Sequence, residues 1–198
     1  MASYSTATAH VEYHSEPIKG SRFIADVVPI DSERHAIQAL QDIRAQRPDA
    51  SHHCWAWKLH EDAQSRVSDD GEPGGSAGRP ILAQIEGHDL EDVLVVVSRY
   101  YGGTKLGVGG LIRAYGGTAG KALDTVDYRA VEERVSLNIE FAYGFTKGVD
   151  AVLRQYSIQT LETQYTEGVL MHLHVRVEEV HSIKEDLIAC TSGKIRFP

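Results

Sequence analysis

The sequence predicts an α+β protein of two domains, and three observations carry that prediction. From Val135 to Phe197 the patterning runs strand, helix, strand, strand, helix, strand, which is the split βαβ order of ferredoxin-like domains. Upstream, Val93 to Val97 is a continuous apolar run, β-branched except at Leu94, as expected of a central strand buried on both faces. That run leads straight into Gly102 to Leu123, where glycines come in pairs at 102–103, 109–110 and 116–117, seven residues apart. At 198 residues the chain holds one large domain or two small ones. The texture changes after Asp127, so the boundary is expected near Glu133, giving domains 1–133 and 134–198 with no long linker between them.

In order, a polar start is expected to be loose, and His10 to His14 and Arg22 to Val28 read as strands joined at a Lys19-Gly20 turn. Asp31 or Ser32 caps a helix to Arg47, with Ile37, Leu40 and Ile43 recurring at helical spacing and Pro48 as a stop. His53 to Leu59 alternates with Trp55, Trp57 and Leu59 on one side, the pattern of a half-buried strand. After the polar loop Ser68 to Gly75, Ser76 is placed to cap a helix carrying Ile81, Leu82 and Ile85, with Pro80 in its first turn. At the end of the central strand Arg99 and Tyr101 share one face, Ser98 and Tyr100 the other. A helix after Gly107 then turns Val108, Leu111, Tyr115, Thr118 and Ala122 inward.

In the second domain, Val135 to Phe141 is a strand and Phe145 to Tyr156 a helix with Phe145, Val149, Val152 and Leu153 inward. Ile158 to Tyr165 and Val169 to Val177 are strands hinged at Glu167-Gly168. Val180 to Cys190 is a helix, and Lys194 to Phe197 a last short strand.

A formal net charge of −8 argues against an indiscriminate nucleic-acid binder. Yet from Val93 to Thr125 the cations Arg99, Lys105, Arg113 and Lys121 face only Asp124, a local balance of four minus one, or +3. The two cysteines, Cys54 and Cys190, fit no CxxC or metal pattern, which points to reduced thiols in a cytoplasmic protein. No cationic segment followed by an apolar run opens the chain, and no run of eighteen apolar residues occurs, so neither a cleaved signal nor a membrane span is expected.

The glycine-rich stretch is the candidate site. Gly110, Arg113, Gly117 and Lys121 fall on one stripe of the helix at spacings of three, four and four, and cations separated by bare backbone form a shallow positive track. Close helix packing with two solvated cations is the plainer reading of the same pattern. Arg79, Arg99, Tyr100, Tyr101, Gly102, Gly103 and Lys105 complete the binding candidates. Gly102-Gly103-Thr104-Lys105 fails the Walker A pattern, GxGxxG fails at Ile112, and neither GxSxG nor HExxH occurs. Asp69, Asp70 and Glu72 form an acidic knot with the chemistry to hold Mg²⁺ or to act as acid and base, although in a glycine-proline loop such residues more often form turns and caps. Adjacent His52 and His53 point to opposite faces of a strand, so a hydrogen-bonded structural role is preferred to a metal site. No catalytic residue, metal or cofactor is assigned.

At SDDGEPGGSAGRP, RYYGGTKLGVGGLIRAYGG and HHCWAW the chain resembles the IMPACT family in its bacterial two-domain, YigZ-type form. The match runs over essentially the whole chain and is most specific in the first domain. The family signature falls on Asp69, Asp70, Gly71, Glu72, Pro73, Ala77, Gly78, Arg99, Tyr100, Tyr101, Gly102, Gly103, Leu106 and Gly107. The resemblance implies a first domain with a ribosomal-protein-like β-α fold, shared with GHMP kinases and elongation factor G. It implies a second domain similar to the last, ferredoxin-like domain of that factor. Eukaryotic members are associated with control of translation initiation, and the bacterial form looks like an RNA-, ribosome- or translation-factor-binding protein. A small phosphorylated ligand at the Gly-rich turn and a protein-interaction surface are the alternatives.

Overall fold

The computed structural model describes residues 3–198, and the chain divides into two compact units, Tyr4–Val131 and Glu132–Pro198, Ser3 being grouped with the latter. In the first unit β1 (Ser3–Ala7) is followed by β2 (Val11–His14), β3 (Arg22–Pro29), α1 (Glu33–Gln46), β4 (His52–Lys58), β5 (Ser65–Ser68), α2 (Gly78–Gly87), β6 (Val93–Tyr100), α3 (Val108–Leu123) and β7 (Tyr128–Glu132). Five strands form one sheet in the order β2-β3-β6-β4-β5, every neighbouring pair antiparallel, with β6 at its centre. β1 pairs with β7 in a separate two-stranded ribbon.

The alternation along the strands decides which helix covers which face. Phe23, Ala25, Val27, Cys54, Ala56, Val93, Val95 and Val97 form one core with Ile81 and Ile85 of α2 and Leu111, Tyr115 and Ala119 of α3. On the other face Leu94, Val96, Trp57 and Leu59 pack with Ala36, Leu40 and Ile43 of α1. β4 is therefore buried on both faces rather than on one, because the small Cys54 and Ala56 let α2 lie over the side opposite Trp57.

Glycine is required where backbones touch. A Cβ on Gly102 would stand 1.9 Å from the carbonyl carbon of Gly20, so the Lys19-Gly20 turn, positive in φ at both residues, lies directly against the end of β6. On α3, a Cβ on Gly120 would stand 2.5 Å from Oε1 of Gln84, and Gly116 faces Pro80, so two of the helix glycines seat α2.

The second unit contains β8 (Arg134–Phe141), α4 (Thr146–Leu153), β9 (Gln159–Tyr165), β10 (Val169–Arg176) and α5 (Val180–Cys190). Its sheet has the antiparallel order β8-β10-β9. The expected last strand is reduced to one bridge, Glu140 with Arg196, on the free side of β8. With that bridge the order becomes fourth, first, third, second, as the ferredoxin-like pattern requires. Leu137, Ile139, Phe141, Leu173 and Val175 face Val149, Val152, Ile183 and Leu187 of the two helices.

Several local expectations are corrected. Ile37 is 48% exposed and Ala36 takes the inward position, because α1 meets the sheet through a narrower stripe than its apolar residues suggest. Val108 is 53% exposed, standing at the first turn of α3 before the helix reaches the core. The polar start contains a strand, with Thr6 and Ala7 buried; Met1 and Ala2 lie outside the described residues. Ser76 does not cap α2: its hydroxyl has no partner among the described residues, and a carboxylate takes that role, as described below. Among the described residues no helix is long and apolar enough to cross a membrane.

Candidate functional site

The acidic loop is a structural clamp with three carboxylates facing three ways. Asp69 accepts from the backbone N–H groups of Gly75 at 2.7 Å and of Ala77 and Gly78 at 2.9 Å, closing the loop and capping α2. Burial alone would raise its pKa, but these donors outweigh burial and hold the carboxyl below the usual range. Asp70, at φ 42°, accepts from the His53 N–H at 2.7 Å and from Arg44 of α1 at 2.7 Å. Glu72 points inward, taking Nη1 of Arg99 at 2.5 Å and the Tyr115 hydroxyl at 2.7 Å on the same oxygen. The Mg²⁺ and acid–base reading of this trio is therefore corrected: their oxygens do not converge, because each is committed to a different element.

Arg99 is corrected in the same way. It is 4% exposed, its guanidinium lies between the rings of Phe23 and Tyr101, and its charge is matched by Glu72. It is not a surface contact for phosphate. A second donor bond goes to Ser21 Oγ at 3.3 Å, while its Nε–H has no acceptor among the described residues. Burial also pushes the Cys54 thiol up to about 12, and its Sγ donates to the Asp69 carbonyl.

The remaining candidates separate into three groups. Tyr101 and Lys105 line a pocket of about 230 Å³ with Glu72, Pro73, Arg99, Leu106, Gly107, Val108 and Leu111. Arg113, Gly117 and Lys121 line a second depression of about 200 Å³, closed on its far side by Ser15 to Ile18. Arg79, on α2, lies apart from both, in a broad hollow with Trp55 and Arg66. Tyr100 faces away from Tyr101, with the Arg22 guanidinium 4.7 Å above its ring. Of the glycines, Gly103 has φ 85°, Gly110 lets Leu106 approach, and Gly117 has nothing within 4 Å of where a Cβ would be.

The positive track thus survives with fewer members. Arg113, Gly117 and Lys121 are exposed on one side of α3, the two cations ~12 Å apart along its axis. A Cβ on Gly109 would stand 3.8 Å from Arg113 Nη1, so the guanidinium reaches back toward the helix start. Among the described residues none of Lys105, Arg113 and Lys121 has a side-chain ion-pair partner within 4.0 Å. Sequence reasoning missed Lys19 and Arg22. Both are exposed beside the same end of β6, Arg22 through its pairing with Tyr100 and Lys19 through the contact of Gly20 with Gly102.

Comparison with known proteins follows the same division. Residues 19–123 match the family model for the Impact N-terminal domain, and residues 139–194 match that of a domain of unknown function (DUF1949). The chain is 34% identical over 185 residues to the IMPACT family member YigZ of Escherichia coli, covering 92% of this chain and 91% of the relative. It is 35% identical over 185 residues to the family member YvyE of Bacillus subtilis, covering 91% and 84%. A crystal structure described as that of a hypothetical protein superposes with a TM-score of 0.71 at 33% identity, covering 100% of this chain and 97% of that one.

Proposed function

This chain belongs to the IMPACT family, and from that premise we propose that it docks on structured RNA of the translation machinery through the exposed side of α3. One observation carries the reading: in a protein of net charge −8, Arg113, Lys121 and Lys105 stand exposed without ion pairs among the described residues, and Gly117 leaves backbone bare between the first two. A cation that is not neutralised within the fold is available to a phosphate, and contacts to phosphate position a protein without reading sequence. The association of eukaryotic family members with translation control points to the same class of partner. Glu72 and Arg99 act beneath this surface as an internal pair.

The test is co-sedimentation with ribosomal particles and with purified ribosomal RNA at rising salt. Three phosphate contacts predict a slope of log K against log salt of about −2 to −3, less steep by ~0.7–0.9 for each cation removed. Arg113→Ala/Lys121→Ala should lose most of the binding while keeping its fold. Binding unchanged between low and moderate salt would count decisively against the proposal. The exposed Val108 and Ile112 favour a second reading, a protein-interaction module, for which the double variant would leave partner capture intact.

A further inference from the structure

The pocket at the start of α3 is lined by other residues than the depression of Arg113 and Lys121, and contains donors without an acceptor among the described residues. α3 is 16 residues long and begins at Gly107, φ 72°, with no side-chain cap. Its first internal bond is from Leu111 N–H to the Gly107 carbonyl, so the N–H groups of Val108, Gly109 and Gly110 have no acceptor among the described residues. Such a terminus favours an anion. Arg99 is the second, independent sign: it lines the same pocket, is 96% buried by its 4% exposure, and its Nε–H lacks an acceptor.

Charge and wall chemistry narrow the ligand. Arg99 is already balanced by Glu72, leaving Lys105 at the rim and the partial charge of the helix start, which together match one negative charge. A phosphate dianion would bring its second charge beside the 5%-exposed Glu72 carboxylate, where low dielectric strengthens repulsion. Pro73, Tyr101, Leu106, Val108 and Leu111 give the walls an apolar surface. At about 230 Å³ the space lies below the ~300–1,000 Å³ of sites for drug-sized ligands, so the body it accepts is one ring or one branched chain.

We propose that this pocket binds a small monoanionic carboxylate carried on an apolar or aromatic body. The carboxylate sits against the first-turn N–H groups of α3, Lys105 closes the rim, and the body packs on Leu106, Val108 and Leu111. The half-exposed Tyr101 ring covers the guanidinium; sliding it outward gives the ligand access to the Arg99 Nε–H. The same chemistry is offered by a free acid or by the C-terminal residue of a polypeptide.

The experiment titrates the isotope-labelled full chain with 3-phenylpropionate, 3-phenylpropionamide, phenyl phosphate, and a short peptide ending in phenylalanine with its terminus free or amidated. The expected result is saturable shifts of the Val108, Gly109 and Gly110 amide and Arg99 Nε–H signals with phenylpropionate. The amide and the phosphate should bind at least tenfold more weakly, and Lys105→Ala should weaken binding severalfold with unchanged melting temperature. Tighter binding of the free-ended peptide assigns the site to a chain end, and weaker binding assigns it to a free acid. Absence of saturable shifts up to about 10 mM, equal binding of the amide, preference for the phosphate, or indifference to Lys105→Ala would each overturn the proposal. Lys121→Ala, a change more than three turns from the helix start, should leave these shifts unchanged while weakening RNA binding, so failure here is separable from failure of the RNA reading.

Discussion

Replacing Arg99 by methionine keeps most of the stem volume and removes the charge, which isolates the value of the Glu72–Arg99 pair. Both side chains are 5% exposed, so the change leaves a buried carboxylate whose nearest remaining groups are the Tyr115 hydroxyl at 2.7 Å and His52 Nε2 at 3.9 Å. One hydroxyl does not replace a guanidinium, and breaking a buried pair on one side costs ~3–5 kcal/mol. Loss of the ring contacts to Phe23 and Tyr101 adds about 0.5–1 kcal/mol. Glu72→Met costs a similar amount, because it strands the guanidinium and takes the acceptor from Tyr115. The double variant Arg99→Met/Glu72→Met should recover to within ~1–3 kcal/mol of wild type, since two apolar groups of similar volume need no partner. Urea unfolding followed by tryptophan fluorescence reads this directly, because both tryptophans, Trp55 and Trp57, are in β4 of the same unit. A single variant that loses less than about 1 kcal/mol, or a double variant as unstable as the sum of the singles, would refute the view that Arg99 serves the interior.

Asp69→Asn should cost about 1–2 kcal/mol at neutral pH by weakening the α2 cap. Since the folded pKa of Asp69 is depressed, its contribution is present above the unfolded value near 4 and is lost as pH falls through the lower folded value; acid titration of stability should therefore be shallower in the variant. Gly117→Ala, with nothing within 4 Å to clash, should raise stability by ~0.5–1 kcal/mol on helix propensity, yet weaken RNA co-sedimentation severalfold if the bare backbone is part of the surface. Of the two free thiols, partly exposed Cys190 should react with an alkylating reagent in the native protein while Cys54, buried and with its pKa raised to about 12, stays unmodified until unfolding, as peptide mapping by mass would show.

The fold was legible where burial repeats at a fixed period. Val93 to Val97 reads as an interior strand, and the strand-helix order after Val135 matches the ferredoxin-like topology, because the elements there other than the exposed β9 have one wet and one dry side. Legibility failed where a partner distant in sequence decides the outcome. Ile37 and Val108 are apolar, yet Ile37 falls outside the narrow stripe by which α1 meets the sheet and Val108 stands at the first turn before α3 reaches the core. β5 and β1 are short and polar, and are strands only because β4 and β7 offer them an edge. At the candidate site the sequence grouped its cations in one stretch but did not separate the buried one from the exposed ones. Arg99 is as much a cation in the sequence as Lys105, and nothing local says that Glu72, 27 residues earlier, neutralises it.

That difference reassigns the family signature. Asp69, Asp70, Glu72 and Arg99 spend their charge on Gly75, Ala77, Gly78, His53, Arg44, Tyr115 and one another, so the acidic loop is held against β4, α2 and the end of β6 at once. A loop fixed at so many points is rigid enough to form one wall of a pocket whose opposite wall is the uncapped start of α3. The proposed RNA surface then rests on residues whose charges remain unspent, Lys105, Arg113 and Lys121. Two substitutions in the same stretch should consequently fail in different ways: Arg99→Met through loss of the fold around Glu72, and Lys121→Ala through loss of binding by a protein that melts as before.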